Sequence, residues 1–394
     1  MKSRVCIAGG GPAGMMLGLL LARAGVPVEV HEKHADFLRD FRGDTIHPST
    51  LEVIAELGYL DELLRLPHQK VPALGGRFGE HDVALADFSH LPTRCGFIAM
   101  MPQWDFLEFL ARKAARYPKF KLVMGSEVAS LEGVDAELIV GADGRHSTVR
   151  SLAGLEVEDL GAPMDVMWFR LPRRPTDPEA SMGRFDVGRI FVLINRGDYW
   201  QCGCVIPKGA TEEVRRAGLP AFRDGIARML PFAADRAGEI RDWDQVKLLT
   251  VKVDRLKRWY REGLLCIGDA AHAMSPVGGV GINLAIQDAV AAANLLARPL
   301  LEGNLSIAHL ASVQKRREWP VRATQRIQLL VQDRVIARVL RADEQLTPPM
   351  FFRLMSRFPR LQRLPGRLIG MGVRPEHVRT SEAGPARAPQ GTKG

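Results

Sequence analysis

The sequence predicts an α/β fold, in which a βαβ unit of a parallel sheet is joined to a mostly antiparallel second sheet and to C-terminal helices. Three observations predict it. Near the amino terminus an apolar run is broken by closely spaced glycines into a strand and a helix. From about Gly161 to Leu256, strand-like runs alternate with turns. After Gly303 the pattern is helical almost to the end. Apolar spacing separates these readings, because strand side chains alternate while helical ones recur about every 3.6 residues.

With 394 residues, 46% of them hydrophobic, the chain can bury a large core and is long enough for two domains. The net charge of +9 comes from arginines scattered through most of the sequence. That pattern fits attraction to anionic small molecules; a nucleic-acid partner would call for a basic stripe or a binding motif, and none appears. The five cysteines are odd in number and sparse. Cys6 and Cys266 sit in apolar strand patterns, and Cys202 and Cys204 share a strand face with no second pair to complete a zinc site. A reducing, cytoplasmic setting is expected.

Lys2 and Arg4 precede an uncharged run, Val5 to Ala22, of the kind found in signal peptides and membrane spans. Gly9, Gly10, Gly11 and Pro12 interrupt it and Gly14 weakens it further, so a spanning helix is not expected. The run divides instead into a strand, Arg4 to Ala8, and a helix, about Pro12 to Ala24, closed by Gly25. Gly9, Gly11 and Gly14 stand at G-x-G-x-x-G spacing between them, and a second strand, Val26 to His31, ends at Glu32 with Lys33 beside it. This is the pattern of a dinucleotide-binding unit. The glycines permit a tight turn, approach of a pyrophosphate and close helix packing, and the acid binds ribose hydroxyls. An acid there disfavours a 2′-phosphate, which points to FAD or NAD over NADP as the resident nucleotide.

In Phe41 to Leu57, Pro48 with Ser49 or Thr50 opens a helix. Arg42 can pair with a pyrophosphate or form a surface salt bridge. His47 is a candidate catalytic or substrate-contacting residue, against the commoner role of capping or packing. Short strands from Arg65 to Cys95 read as an excursion into the second domain, from which the chain returns at Phe97 to Tyr117 with Pro102, Gln103 and a helix. Val123 to Leu131 reads as a strand pair. In Ala136 to Arg150 an apolar strand delivers Asp143 and Gly144 into a turn, and Ser147 or Thr148 caps a further helix.

Gly263 to Leu296 carries a second ligand-binding pattern. A short strand (Leu264 to Ile267) is followed by Asp269, a Pro/Gly turn (Pro276 to Gly281) and an Ala/Leu-rich helix from about Ile282. The carboxylate can accept a hydrogen bond from a polyol, while helix amides and the helix dipole favour negative charge on a heteroaromatic ring.

Asp165 to Leu171, Arg189 to Asn195, Tyr199 to Ile206 and Gln245 to Val253 are the strand-like runs of the second sheet, with a helical insert at about Thr211 to Met229 packed outside it. Met167, Phe169, Phe191 and Trp200 fit core and pocket equally well. The basic helical stretches Leu310 to Leu340 and Met350 to Arg363 could touch a membrane, with a solvated helix face as the default. The tail from about Thr380 is Gly/Pro/Ala-rich and expected to be disordered. The division expected is 1–70, 97–160 and 257–310 for a discontinuous nucleotide domain, 71–96 and 161–256 for a substrate domain, 311–379 for a helical region and 380–394 for the tail.

The G-x-G-x-x-G turn with its terminal Glu32, the Asp143-Gly144 turn and the Gly268-Asp269 site, in this order, resemble the three fingerprints of the FAD-dependent aromatic hydroxylases. These are the single-component flavoprotein monooxygenases of the p-hydroxybenzoate hydroxylase and ubiquinone-pathway type. The resemblance spans roughly residues 4 to 300. It implies a Rossmann-like FAD domain in which Gly9, Gly11, Pro12 and Ala13 meet the pyrophosphate and Glu32 and Lys33 the adenosine side. It further implies phosphate or ribityl contacts from Arg42 and Gln103, an adenine-side contact from Val128, and Asp143 and Gly144 near both nucleotides. Asp269 would meet the ribityl chain, and the backbone of Gly279, Val280, Gly281, Ile282 and Asn283 the flavin ring. One departure concerns Val128: only Glu132 to Asp135 link its strand to the next, where the family has a longer β-meander.

With one nucleotide fold, the resemblance implies that NADH or NADPH acts transiently at tightly bound, non-covalent FAD. O2 then gives a flavin hydroperoxide that hydroxylates an aromatic small molecule, phenolic, amino-aromatic or heteroaromatic. No protein nucleophile is required. His47, Pro276 and Val277 are the candidate substrate neighbours, and the chain is expected to be a monomer or homodimer. Three alternatives stand beside this reading. A halogenase of the same fold would need W-x-W-x-I-P, but Cys202 and Cys204 occupy the tryptophan positions before Ile206 and Pro207. A flavin dehydrogenase or reductase would insert no oxygen. A catalytically silent flavin-binding module would act through a partner.

Overall fold

The computed structural model describes residues 4–38, 44–344 and 347–383. From the amino terminus, β1 (Val5–Ala8), α1 (Pro12–Arg23) and β2 (Val28–Glu32) form the βαβ unit. β3 (Thr45–Ile46), α2 (Pro48–Glu56), α3 (Leu60–Leu63), β4 (Gln69–Val71), β5 (Ala73–Phe78), β6 (His81–Asp87) and β7 (Ile98–Met100) follow. Next come α4 (Gln103–Ala114), β8 (Phe120–Met124), β9 (Leu138–Gly141), α5 (Thr148–Leu152) and β10 (Val157–Asp159). The middle of the chain holds β11 (Met164–Pro172), β12 (Met182–Asp186), β13 (Arg189–Asn195), β14 (Tyr199–Pro207), α6 (Thr211–Met229) and β15 (Lys247–Leu249). The remainder is β16 (Asp254–Leu256), β17 (Tyr260–Arg261), β18 (Leu264–Cys266), α7 (Gly281–Glu302), α8 (Ile307–Val331), α9 (Ala337–Leu340), α10 (Met350–Arg357) and α11 (Arg363–Gly370).

A six-stranded sheet in the order β17-β18-β9-β1-β2-β8 carries the nucleotide pattern. Strands β8, β2, β1, β9 and β18 run parallel, and the edge strand β17 is antiparallel to β18. β1 and β9 are buried along their whole length, as expected of strands covered on both faces. α1 is buried on nearly every side, because Met15, Met16, Leu17, Leu19, Leu20 and Leu21 leave no polar stripe. It packs between the sheet, α4 and α7. The stretch Val277–Glu302, which contains α7, is long and apolar enough to cross a membrane, yet most of it lies in the core of this fold.

The second sheet has seven strands in the order β15-β11-β14-β13-β12-β5-β6. β11, β13 and β14 pair antiparallel in long register, and β12 meets β5 in parallel. β12 carries no predicted strand, because Gly183 and the polar residues around it hide its alternation. A third, small sheet, β3-β7-β4, lies in the segments that connect the two larger sheets.

One expectation changes here, and one open alternative closes. The stretch Val123 to Leu131 is not a strand pair: β8 ends at Met124, and Val128 lies in irregular chain, partly buried against the main core. The amides of Gly125 and Ser126 donate to the carbonyls of His34 and Glu32, which turns the chain away from the sheet. Met167, Phe169, Phe191 and Trp200 are core residues, packed with Phe222, Ile226 and Met229 of α6 on the outer face of the sheet.

Candidate functional site

The turns singled out by the sequence meet at one place. The geometry is tightest at the glycines. Gly9 has φ 106°, and a Cβ there would lie 2.4 Å from the carbonyl oxygen of Ala142, so the βαβ turn and the Asp143 turn touch backbone to backbone. A Cβ on Gly14 would lie 1.9 Å from the Gly9 carbonyl oxygen. At Gly268 it would meet Ala13 Cβ at 3.0 Å and Ala285 Cβ at 3.2 Å, which places the first turns of α1 and α7 on either side of the Asp269 turn. Gly279 completes the set: its Cβ position is 2.6 Å from Thr45 Oγ1, and that hydroxyl donates to the Gly279 carbonyl at 2.8 Å.

Gly11 is different from its neighbours. A Cβ there would have no protein atom within 4 Å. It is the N-cap of α1, and no side chain caps that terminus or places an acid in its first turn. α7 also begins, at Val280, with no side-chain cap and no acid in its first turn. Two helix ends without side-chain caps, whose dipoles favour negative charge, therefore flank a space that close packing leaves open at Gly11. The arrangement fits the pyrophosphate and ring of FAD.

The side chains sort around that space. Glu32, at the end of β2, accepts from the Gly10 amide at 2.9 Å and the His34 amide at 3.1 Å, which holds the acid beside the glycine turn. Lys33 is exposed beside it. Asp143 spends both carboxylate oxygens on its own turn, accepting from the Ser147 hydroxyl at 2.5 Å and the Val149 amide at 3.1 Å. Ser147 in turn caps α5. Asp143 thus shapes the loop, and Gly144 follows it at φ 86°. Asp269 is partly exposed, with the Arg145 guanidinium 3.8 Å away. Gln103 opens α4, its amide donating to Asp44 at 3.3 Å. Arg42 lies outside the described residues.

Asn283 has its side chain committed to the protein. Its Oδ1 accepts from the His47 amide at 3.0 Å and the Thr50 hydroxyl at 2.6 Å, and its Nδ2 donates to Thr45 O at 3.3 Å. Those bonds fasten β3 and α2 to the start of α7. His47 is fully buried, with Nδ1 donating to the Ile369 carbonyl at 2.7 Å. That is the geometry of a packing residue, and burial pulls its pKa down from 6.5 to about 4. Below about pH 6.5 an unfolded histidine takes up a proton that the folded ring refuses, so stability falls with pH across that interval. The loss should reach on the order of 3 kcal/mol near pH 4, and His47→Gln should remove it from urea-unfolding curves compared at neutral and acid pH.

Pro276 and Val277 lie in the turn before α7. Val277 packs against a cluster formed by Val166, Ile190 and Val205 of the second sheet, bordered by Trp168 and Phe185. This is the sheet face opposite the α6 core, so the inner face of the second sheet stands over the α7 turn.

Two buried charge clusters at the site were not visible in the sequence reading. Asp288 of α7 is wholly buried and accepts from His272 Nε2 at 2.6 Å, Arg317 Nε at 2.9 Å and the Gly268 amide at 3.1 Å. Burial raises its carboxyl, but His272 and Arg317 together hold it below the usual aspartate range. Asp44 forms a buried ion pair with Arg196, whose Nε donates to Gln201 at 3.2 Å, and thereby ties β3 to the β13–β14 hairpin. A lone carboxylate in the apolar run INLAIQDAVAAANLL is the signal that would have flagged Asp288, since a buried charge demands partners.

Comparison with known proteins agrees with this geometry. A family model described as "FAD binding domain" matches residues 2–133 and 131–326. The chain is 32% identical over 377 residues to 6-methylpretetramide 4-monooxygenase of Streptomyces rimosus, covering 90% of this chain and 89% of that one. Rifampicin monooxygenase of Streptomyces venezuelae is 27% identical over 301 residues, 72% of this chain and 62% of the relative. Among solved structures, OxyS anhydrotetracycline hydroxylase from Streptomyces rimosus superposes with a TM-score of 0.73 at 24% identity, covering 94% of this chain and 76% of that one. PqsL of P. aeruginosa in complex with 2-aminobenzoylacetate superposes with a TM-score of 0.72 at 23% identity, covering 86% and 96%. These two structures share the fold.

Proposed function

This chain belongs to the FAD-binding-domain family and is an FAD-dependent aromatic monooxygenase, and we propose that it hydroxylates an apolar aromatic substrate held between the Val277 turn and the inner face of the second sheet. The observation that carries this reading is the convergence of the glycine turn, the Asp269 turn and the start of α7 on the open space at Gly11. In it, Gly9, Gly11, Pro12 and Ala13 hold the pyrophosphate, and Glu32 and Lys33 the adenosine. Gln103 and Arg42 serve the phosphate and ribityl region, Val128 and Gly144 lie on the nucleotide side, and Asp269 accepts from the ribityl chain. The backbone from Gly279 to Asn283 faces the ring. The first domain comprises 1–70, 97–160 and 257–310, and the inserted sheet is the substrate domain.

Bound FAD supplies hydride acceptance from NADH or NADPH and the activation of O2. The chain's contribution is placement and exclusion. The uncapped start of α7 favours negative charge on the ring. The Asp44–Arg196 pair keeps the segment before α2 against the β13–β14 hairpin. Trp168 and Val277, partly buried at the border of the cluster that holds Val166 and Ile190, offer apolar surface to an aromatic ligand and keep water from the reacting atoms. Burial holds several cysteines as neutral thiols, Cys266 being pushed up to about 12, and all five are unpaired, which supports a reducing, cytoplasmic setting.

Asp269→Ala should lower FAD affinity about tenfold or more, the worth of one lost hydrogen bond to a charged acceptor. Ultrafiltration of the purified variant measures it, and wild-type flavin retention would count against the ribityl role. The reaction is tested on FAD-loaded enzyme by screening phenols, anilines, heteroaromatics and 6-methylpretetramide for accelerated NAD(P)H oxidation, with mass analysis of products. One added oxygen atom supports a hydroxylase. Donor consumption without oxygen in the product would assign a dehydrogenase or reductase instead.

A further inference from the structure

We propose that the surface formed by α10 and α11 is a docking face for an anionic lipid bilayer, independent of which aromatic substrate the enzyme takes. The two helices lie on β6, the outer strand of the second sheet. Their inward side is fixed by packing: Phe352 tilts against Phe78 at 5.6 Å, Met355 is buried, and Gln362 Nε2 donates to the Met355 carbonyl at 2.9 Å. At Gly366 a Cβ would lie 2.0 Å from the Asp87 carbonyl oxygen, so α11 sits directly on the strand.

The outward side is apolar where a solvated helix would be polar. Met350 is 83% exposed, Phe351 61%, Phe358 50% and Leu364 65%, with Leu354 and Leu361 also exposed. Scattered exposed apolar residues need no explanation, but six within fifteen residues, on helices whose other face is already packed, form a patch. Among them stand Arg353, Arg357, Arg360, Arg363 and Arg367, all exposed. No acidic residue occurs between Glu344 and Glu376.

That charge pattern selects the occupant. A second copy applied to the same face would set arginine against arginine. An anionic bilayer satisfies both halves of the surface: the apolar side chains enter the headgroup boundary, while arginine stems lie along them with guanidinium groups at the phosphates. α8 also exposes Trp319, Ile327 and Leu330, but its Arg322 is paired with Glu318 at 2.9 Å, whereas the α10–α11 stretch carries no acid to neutralise its arginines.

The test is co-sedimentation of FAD-loaded, full-length enzyme with vesicles of phosphatidylcholine alone or with roughly one-third phosphatidylglycerol. Binding is expected to the anionic vesicles and to weaken with salt. Phe351→Ser with Leu364→Ser, or Arg357→Glu with Arg360→Glu, should each reduce it about tenfold or more while flavin content and solution mass stay unchanged. Failure to sediment with anionic vesicles at low salt, equal binding to neutral ones, or undiminished binding by both double variants would overturn the proposal. So would a dimer that these variants convert to monomer without any vesicle binding, which would make the face a contact between copies.

Discussion

Arg317→Met is expected to cost about 3–5 kcal/mol of folding stability, the range for removing one partner of a buried ion pair. The substitution keeps the stem but leaves Asp288, fully buried, with only His272 and the Gly268 amide to answer its charge. Because a domain is typically stable by only about 5–15 kcal/mol, this is a large fraction of the total. The effect should reach the cofactor, since Asp288 positions Gly268 next to Asp269. Urea unfolding measures the first effect and flavin occupancy the second. The acid limb of stability should change as well. The folded Asp288 carboxyl titrates below its unfolded value, so the network's contribution is complete above about pH 4 and is lost as pH falls through the lower folded pKa. In Arg317→Met that loss should begin at higher pH. Unchanged unfolding and unchanged flavin content would show that the cluster does not support the site.

Gly11→Val is expected to separate binding from folding. The backbone at Gly11, φ −73° and ψ −176°, is extended and open to any residue, and no protein atom stands where the side chain would go. The flavin-free protein should therefore lose no more than about 1 kcal/mol, the difference between glycine and valine as an N-cap. FAD binding should weaken by a hundredfold or more, because the branched side chain fills the approach of the pyrophosphate; this is about 3 kcal/mol of lost affinity. Gly14→Ala is the opposite control. Its Cβ would press on the Gly9 carbonyl oxygen, so it should destabilise the fold itself. Fluorescence titration with FAD and denaturation of the flavin-free proteins distinguish the two.

The part of this molecule legible in the sequence is the part where backbone geometry dictates residue type. Gly9 and Gly14 are forced by contacts with Ala142 and with Gly9 itself, and their spacing therefore announces the βαβ turn. The helical insert is found over Thr211–Met229, but broken at Gly218 (φ 89°) just before Pro220; only its second half, with Phe222, Ile226 and Met229, sets apolar residues at helical spacing against one sheet face. Periodicity failed where local apolar content does not report pairing. Val128 and Leu131 look like strand residues but are loop residues whose side chains rest on the core. It also could not choose between the two faces of β11 and β13, which only the packing of α6 separates from the Val277 side. The ion pairs were hidden for a different reason. Asp44–Arg196 joins residues 152 positions apart, and Asp288–Arg317 joins two helices, so neither pairing has a local spacing to betray it. Asp143 shows the remaining limit: its position in a nucleotide-site turn was evident, but not that both carboxylate oxygens serve Ser147 and Val149.

The central claim is that separated turns of one chain converge to hold a single FAD over the start of α7. Titration of flavin-free wild-type protein with FAD, followed by flavin fluorescence, tests it most directly. Saturation at one FAD per chain with a dissociation constant of about 1 μM or tighter is the result expected, with Gly11→Val failing to saturate in the same range. A wild-type protein that is folded yet leaves the flavin signal unchanged would contradict the account.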